Sequence, residues 1–123
     1  MIQWYPGHMT SARRIIAERM PSVDVVIEVL DARMPRASAN PVMTELRKEK
    51  PCLKILCKSD LADQAATKAW ISELEIDLTV KVLATTTERE ADTRKRVPEI
   101  CKKLAPHRTG PKPVRAMVVG IPN

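Results

Sequence analysis

The sequence predicts an α/β domain built on a parallel sheet. Three observations carry this. Four short aliphatic runs, at residues 23–30, 53–57, 80–84 and 114–119, have the β-branched character of strands buried on both faces. Amphipathic stretches of helical length separate them, and turn residues such as Pro51, Gly110, Pro111 and Pro113 mark their boundaries. Strands alternating with helices imply right-handed crossovers in one parallel sheet.

The chain opens on a turn at Pro6 and Gly7. Met9, Ala12, Ile16 and Met20 then form the stripe of a helix that ends before Pro21. Residues 1–20 are therefore an N-terminal arm and helix, and residues 21–123 the sheet domain. After the first strand, Pro41 suits the first turn of a helix reaching about residue 49, capped by Asn40. After the second, Asp63 is the expected N-cap of a helix whose stripe is Ala66, Trp70 and Leu74, with Trp70 in the core. After the third, Val97, Ile100, Cys101 and Leu104 share a helical face, and Pro98 should kink that helix or start a second one at Val97. Residues 105–113 read as a basic, proline-rich linker into the last strand. The order is α, then β-α-β-α-β-α-β.

Composition bounds what such a domain can do. A chain of 123 residues is the size of one domain, and 44% apolar content supports a core rather than disorder. With no Phe, one Tyr and two Trp, that core must be aliphatic. No apolar run has the length of a membrane span, and the first twenty residues carry Arg13, Arg14 and Arg19 without a signal-peptide pattern. Three cysteines without a C-x-x-C pair, and two histidines, argue against a disulfide framework or a zinc site and suit a reducing cytoplasm. The net charge of +6 favours a polyanionic partner.

Open α/β sheets bind ligands at the carboxyl ends of their strands. The residues there are Asp31-Ala32-Arg33, Lys58-Ser59-Asp60, Thr85-Thr86-Thr87 and Gly120-Ile121-Pro122-Asn123. This rim is either a site or simply a set of polar turns. Lys58-x-Asp60 carries a specific chemistry. A carboxylate there can accept the N1–H and exocyclic N2–H of guanine, a donor pair that adenine lacks, while the lysine stem lies along the base. The plain alternative is a helix entry with Asp as a cap. Gly120 begins a phosphate-loop pattern of the form G-x-x-x-x-G-K-S/T, of which only Gly120, Ile121, Pro122 and Asn123 are present.

Together these segments resemble the circularly permuted ribosome-assembly GTPases, the RbgA/YlqF family. Gln3-Trp4-Tyr5-Pro6-Gly7-His8-Met9 with Ala12-Arg13-Arg14 resembles that family's opening signature. Asp31-Ala32-Arg33-Met34-Pro35, then Ser38, Asn40 and Pro41, resembles its D-A-R-x-P-x-x-S-x-N-P segment. Cys57-Lys58-Ser59-Asp60-Leu61 stands where it has N/T-K-x-D-L, and Ala84-Thr85-Thr86 where it has a short base-contacting motif. Gly120-Ile121-Pro122-Asn123 is similar to the start of its phosphate loop. The guanine motif precedes the phosphate loop, the reverse of an ordinary GTPase.

The resemblance implies a partial, circularly permuted P-loop GTPase domain over residues 21–123. It implies GTP and GDP as ligands, with Mg²⁺ held by residues expected past Asn123 and by none within this chain. Cys57, Lys58, Asp60, Ala84, Thr85, Gly120, Ile121, Pro122 and Asn123 would touch the nucleotide, and His8 would take the catalytic role of the absent water-positioning glutamine. The parent would bind and hydrolyse GTP while assisting late assembly of the large ribosomal subunit. The present segment, lacking the phosphate-loop lysine and the switch regions, is expected not to turn over. Arg13, Arg14, Arg33 and Arg36 are the candidates for contact with ribosomal RNA, and the exposed edge of an incomplete sheet is a route to dimers. The alternative is a non-enzymatic RNA- or ribosome-binding α/β module.

Overall fold

A computed structural model describes residues 2–3, 9–39, 41–108 and 112–120. Its strands are β1 (Ile2–Gln3), β2 (Val25–Asp31), β3 (Cys52–Cys57), β4 (Val80–Ala84) and β5 (Ala116–Gly120). Its helices are α1 (Met9–Arg19), α2 (Pro35–Ser38), α3 (Pro41–Arg47), α4 (Gln64–Leu74) and α5 (Glu90–Leu104). The sheet runs in the order β1-β5-β2-β3-β4, and every pairing is parallel. The α/β class and the four long strands agree with the sequence expectation. The two-residue β1 is new, because so short a strand has no periodicity to read.

Alternation along the strands builds two cores. Val26, Cys52, Val80 and Val119 face Ile16 of α1 and Met43 of α3. Val25, Ile27, Leu53 and Leu83 face the other way and pack on Val97, Ile100, Cys101 and Leu104 of α5. Near the rim, Leu30 and Leu56 join Ile71 of α4, Val82 and Ala84. The helices after β2 and β3 thus cover one face, and α5 covers the other. Complete burial of Leu53 and Leu56 contributes about 2–3 kcal/mol each.

Several elements differ from expectation for local reasons. Val23 is drawn into a 3₁₀ turn after α1 by its N–H to Met20 O, at 3.0 Å, so β2 starts at Val25. Helix α5 runs through Pro98 unbroken. Pro98 lies on its exposed side, while the apolar stripe holds the helix on the sheet. In α4 the inward residue is Thr67 rather than Ala66, followed by half-buried Trp70, Ile71 and Leu74. Trp70 is not a core residue. It lies beneath the Arg36 guanidinium, 5.5 Å from the ring centroid, and Arg36 also pairs with Glu73 at 3.5 Å. Asp63 does cap α4, accepting the Ala65 N–H at 3.2 Å. The Asn40 cap and the turn residues Gly110 and Pro111 lie outside the described residues.

Polar anchors hold the amino ends of the strands. Buried Asp24 accepts hydrogen bonds from His107 Nε2 (3.1 Å), Arg108 Nε (3.1 Å) and Arg115 N (2.9 Å), tying the basic linker to the start of β2. Arg47, 5% exposed, donates to Lys50 O, Thr79 Oγ1 and Asp77 Oδ2 and so joins α3 to the turn before β4. At the β4 edge, the outward N–H of Val82 is taken by Glu75 Oε2 at 2.9 Å and that of Val80 by Asp77 O at 3.0 Å. Two donors that strand pairing would need are already bonded there.

Candidate nucleotide site at the sheet rim

Strand order reverses between β2 and β5. From β2 the sheet grows toward β3 and β4, and α5 then returns the chain across the opposite face to place β5 on β2's other side. Such a switch point opens a crevice at the carboxyl ends of the strands. Gly120 ends β5 at this crevice, paired with Val29. A Cβ at Gly120 would lie 2.9 Å from Val29 Cβ and 3.0 Å from Val29 O, so only glycine permits this approach. A groove of about 580 Å³ between α1 and α3 lies elsewhere, at the amino ends of the strands, where no motif of the rim reaches it.

The loop after β3 is fixed in detail. Lys58 adopts the left-handed conformation, φ 59° and ψ 37°, which a side-chain-bearing residue holds only when its surroundings enforce it. Ser59 supplies that enforcement. Its N–H and Oγ both donate to Thr85 O, at 3.0 and 3.1 Å, and its own carbonyl accepts from Gln64 Nε2 at 2.9 Å. Thr85 N–H in turn donates to Leu56 O at 2.9 Å. The Lys58–Asp60 loop and the Ala84–Thr85 loop are therefore one hydrogen-bonded unit.

This unit presents Asp60 exposed in a 3₁₀ turn (Ser59–Leu61), where its carboxylate takes no hydrogen bond among the described residues. Cys57 is half-buried at the end of β3, and its N-terminal neighbours carry the strand into the core. Burial pushes the Cys52 thiol up to about 11 and raises Cys101 as well, so those two are inert core residues. Thr85 has both its backbone N–H and carbonyl engaged inside the protein, whereas Thr86 N–H has no partner among the described residues.

On β2, Asp31 meets Arg33 through two guanidinium contacts, Nε–Oδ1 at 3.1 Å and Nη2–Oδ2 at 2.8 Å, and accepts the Arg33 N–H at 2.9 Å. The Arg33 side chain, then its backbone N–H, hold the Asp31 carboxyl at about 2. Of the RNA candidates, Arg33 is thus engaged by Asp31, Arg36 by Trp70 and Glu73, and Arg13 by Glu45 at 2.7 Å. Arg14 is exposed. His8, Ile121, Pro122 and Asn123, with Trp4 and Tyr5, lie outside the described residues. The role of Ser59 as latch carries no sequence signal, because its partner is a carbonyl 26 positions away.

The chain is an α/β domain with a parallel sheet, a switch point at glycine-ended β5 and a Lys-x-Asp loop on β3, two strands from it, an arrangement consistent with a GTPase-like domain. The likeness to known proteins is more particular. Ribosome biogenesis GTPase A of Bacillus cereus is 39% identical to all of this chain, and that of Bacillus licheniformis 38%. Mouse mitochondrial ribosome-associated GTPase 1 is 35% identical over 98% of it. Over its whole length the chain is thus similar to the N-terminal part of ribosome biogenesis GTPase A and of mitochondrial ribosome-associated GTPase 1. It spans less than half the length of these relatives, 44%, 46% and 38% of the three. No family model matches the chain.

Proposed function

We propose that this chain is the base-reading part of a GTP-binding and GTP-hydrolysing protein that assists assembly of the large ribosomal subunit. The observation that supports it most is the latch between Ser59 and Thr85, which holds Lys58 in a strained backbone conformation and leaves the Asp60 carboxylate open. Asp60 accepts the two guanine N–H groups, Lys58 covers the base, and Cys57 replaces the usual amide or hydroxyl with a weakly bonding thiol. Ala84 and Thr85 back the base, with Thr86 N–H, one residue on, as the free donor beside it. Gly120, Ile121, Pro122 and Asn123 begin the phosphate cradle, and His8 orients the attacking water.

On this reading the Mg²⁺ would be held by a phosphate-loop hydroxyl and a carboxylate past Asn123, together with the nucleotide's phosphates. Segment 1–123 alone is expected not to turn GTP over, since phosphoryl transfer depends on positioning by those parts.

The test is competition binding on the chain continued through a complete phosphate loop. GDP and GTP should outcompete ADP and ATP, and Asp60→Ala should erode that preference by about a hundredfold or more. Equal binding of guanine and adenine nucleotides by the unmutated chain would overturn the base assignment.

The names of the relatives, ribosome biogenesis and ribosome-associated GTPases, support a ribosomal partner. Contact with ribosomal RNA falls chiefly to Arg14 and Arg13. The exposed Arg13–Glu45 pair contributes little and can be exchanged for a phosphate. The chain should pellet with large ribosomal subunits at low salt. Arg13→Ala with Arg14→Ala should weaken this several-fold and flatten its salt dependence. Pelleting indifferent to both salt and these arginines would reject the RNA contact. A reducing cytoplasm suits the three free thiols, and no helix among the described residues is long and apolar enough to cross a membrane.

A further inference from the structure

Asp31 occupies a junction that its motif alone does not explain. Strand β2 lies between β5 and β3. Val29 pairs with Gly120 on one side, and Asp31 pairs with Cys57, the residue before Lys58, on the other. Asp31 therefore stands between the start of the phosphate loop and the guanine loop.

Its backbone is pinned from both directions. Asp31 N–H donates to Ser38 Oγ at 3.0 Å, and that hydroxyl donates to Met34 O at 2.8 Å. Met34 N–H donates to Asp31 O at 3.0 Å, and Ala32 N–H to Cys57 O at 2.8 Å. The carboxylate is equally constrained. Oδ1 accepts both Arg33 N–H and Arg33 Nε–H, whereas Oδ2 accepts only Arg33 Nη2. Oδ2 keeps one acceptor direction without a described partner. Lys58 begins at the neighbouring strand end, half-buried, and its ammonium has no hydrogen bond among the described residues. The Lys58 charge also adds to the forces that keep Asp31 ionised.

We infer that Asp31, pre-set by Arg33 and Ser38, is a positioning residue that holds the Lys58 side chain extended across the nucleotide base through the free direction of Oδ2. This rests on the reading of Lys58 and Asp60 as the base-contacting pair. A lysine held before the ligand arrives loses less rotamer freedom on binding, and the charge of Asp31 fixes the direction in which it lies.

The test is calorimetric titration of GDP into the chain continued through a complete phosphate loop, with Asp31→Asn, Lys58→Ala and the double variant, and Asp60→Ala as control. Asp31→Asn should weaken GDP about tenfold while leaving the guanine-over-adenine preference intact. In the Lys58→Ala background the same change should cost less than about twofold. An equal loss in both backgrounds would mean that Asp31 acts on the loop as a whole and would overturn the inference, as would no loss at all. Arg33→Gln leaves the carboxylate and the backbone bonds in place. It should give a smaller loss that also vanishes with Lys58→Ala, so the inference stays testable if Asp31→Asn does not fold. If Asp60→Ala leaves the guanine preference untouched, the base reading itself fails. If Asp60→Ala abolishes that preference while Asp31→Asn is silent, only the positioning role falls.

Discussion

Lys54→Met should lower the unfolding free energy by about 3–5 kcal/mol, read as a fall in the urea midpoint with an unchanged slope. Lys54 and Glu28 are cross-strand partners on β3 and β2, 2.5 Å apart, with side chains only 10% and 6% exposed. The pair is flanked by Val119 of β5 beside Glu28 and Val82 of β4 beside Lys54. It lies on the face covered by α1 and α3. Removing one partner strands a charge where neither water nor another described group can answer it. Replacing both, Glu28→Leu with Lys54→Met, should bring stability back to the original value or above it. A loss below about 1 kcal/mol for the single change would show that the pair is hydrated rather than buried. The pair also specifies register. Sliding β3 by one residue would set Lys54 against Ile27 or Val29, on the wrong face of the sheet.

Asp24→Asn should cost about 2–4 kcal/mol at neutral pH. Burial by itself pushes the Asp24 carboxyl up. The Arg115 N–H and guanidinium, His107 and Arg108 together outweigh it and hold the group well below the usual carboxylate range. The folded state therefore binds the proton more weakly than the unfolded chain does. The contribution is complete above the unfolded value, near 3.8, and is lost as pH falls through the lower folded value. The stability gap between the unmutated chain and Asp24→Asn should be constant from pH 7 to about 5 and narrow steadily in acid below about 4. A gap that stays constant down to acid unfolding would show that Asp24 contributes through shape rather than charge. The variant should also loosen the linker into β5, because the Asp24 carboxylate accepts from Arg108 Nε, Arg115 N and Arg115 Nε just before that strand begins.

Elements were legible where a local pattern decided them. The run at 80–84 became β4 without change, and Asp63 caps α4 because an Asn/Asp/Ser/Thr cap needs only its own first turn. The stripe Val97, Ile100, Cys101 and Leu104 faces the core as its spacing required. Errors arose where the deciding contact was distant. Ala66 and Trp70 fit a helical period, yet the inward face of α4 is set by where Ile71 meets Leu56 and Val82. Trp70 is claimed instead by Arg36, from a short helix that has no periodicity of its own. Arg33 and Arg36, expected as candidates for RNA contact, have partners in Asp31 and in Trp70 and Glu73 that composition does not reveal.

The candidate site divides in the same way. The sequence alone determined the strand-end positions of Asp31, Lys58, Asp60 and Gly120, because buried strands announce their own ends and glycine and Lys-x-Asp are chemically distinctive there. Only the tertiary structure decided that Ser59 latches the Lys58–Asp60 loop to Thr85, that β2 with Asp31 stands between that loop and Gly120, and that Glu28 meets Lys54 within the core. Those contacts join residues 26 positions or more apart. Parallel pairing brings such residues together through a crossover, and nothing in the local chain records which partner the sheet will supply.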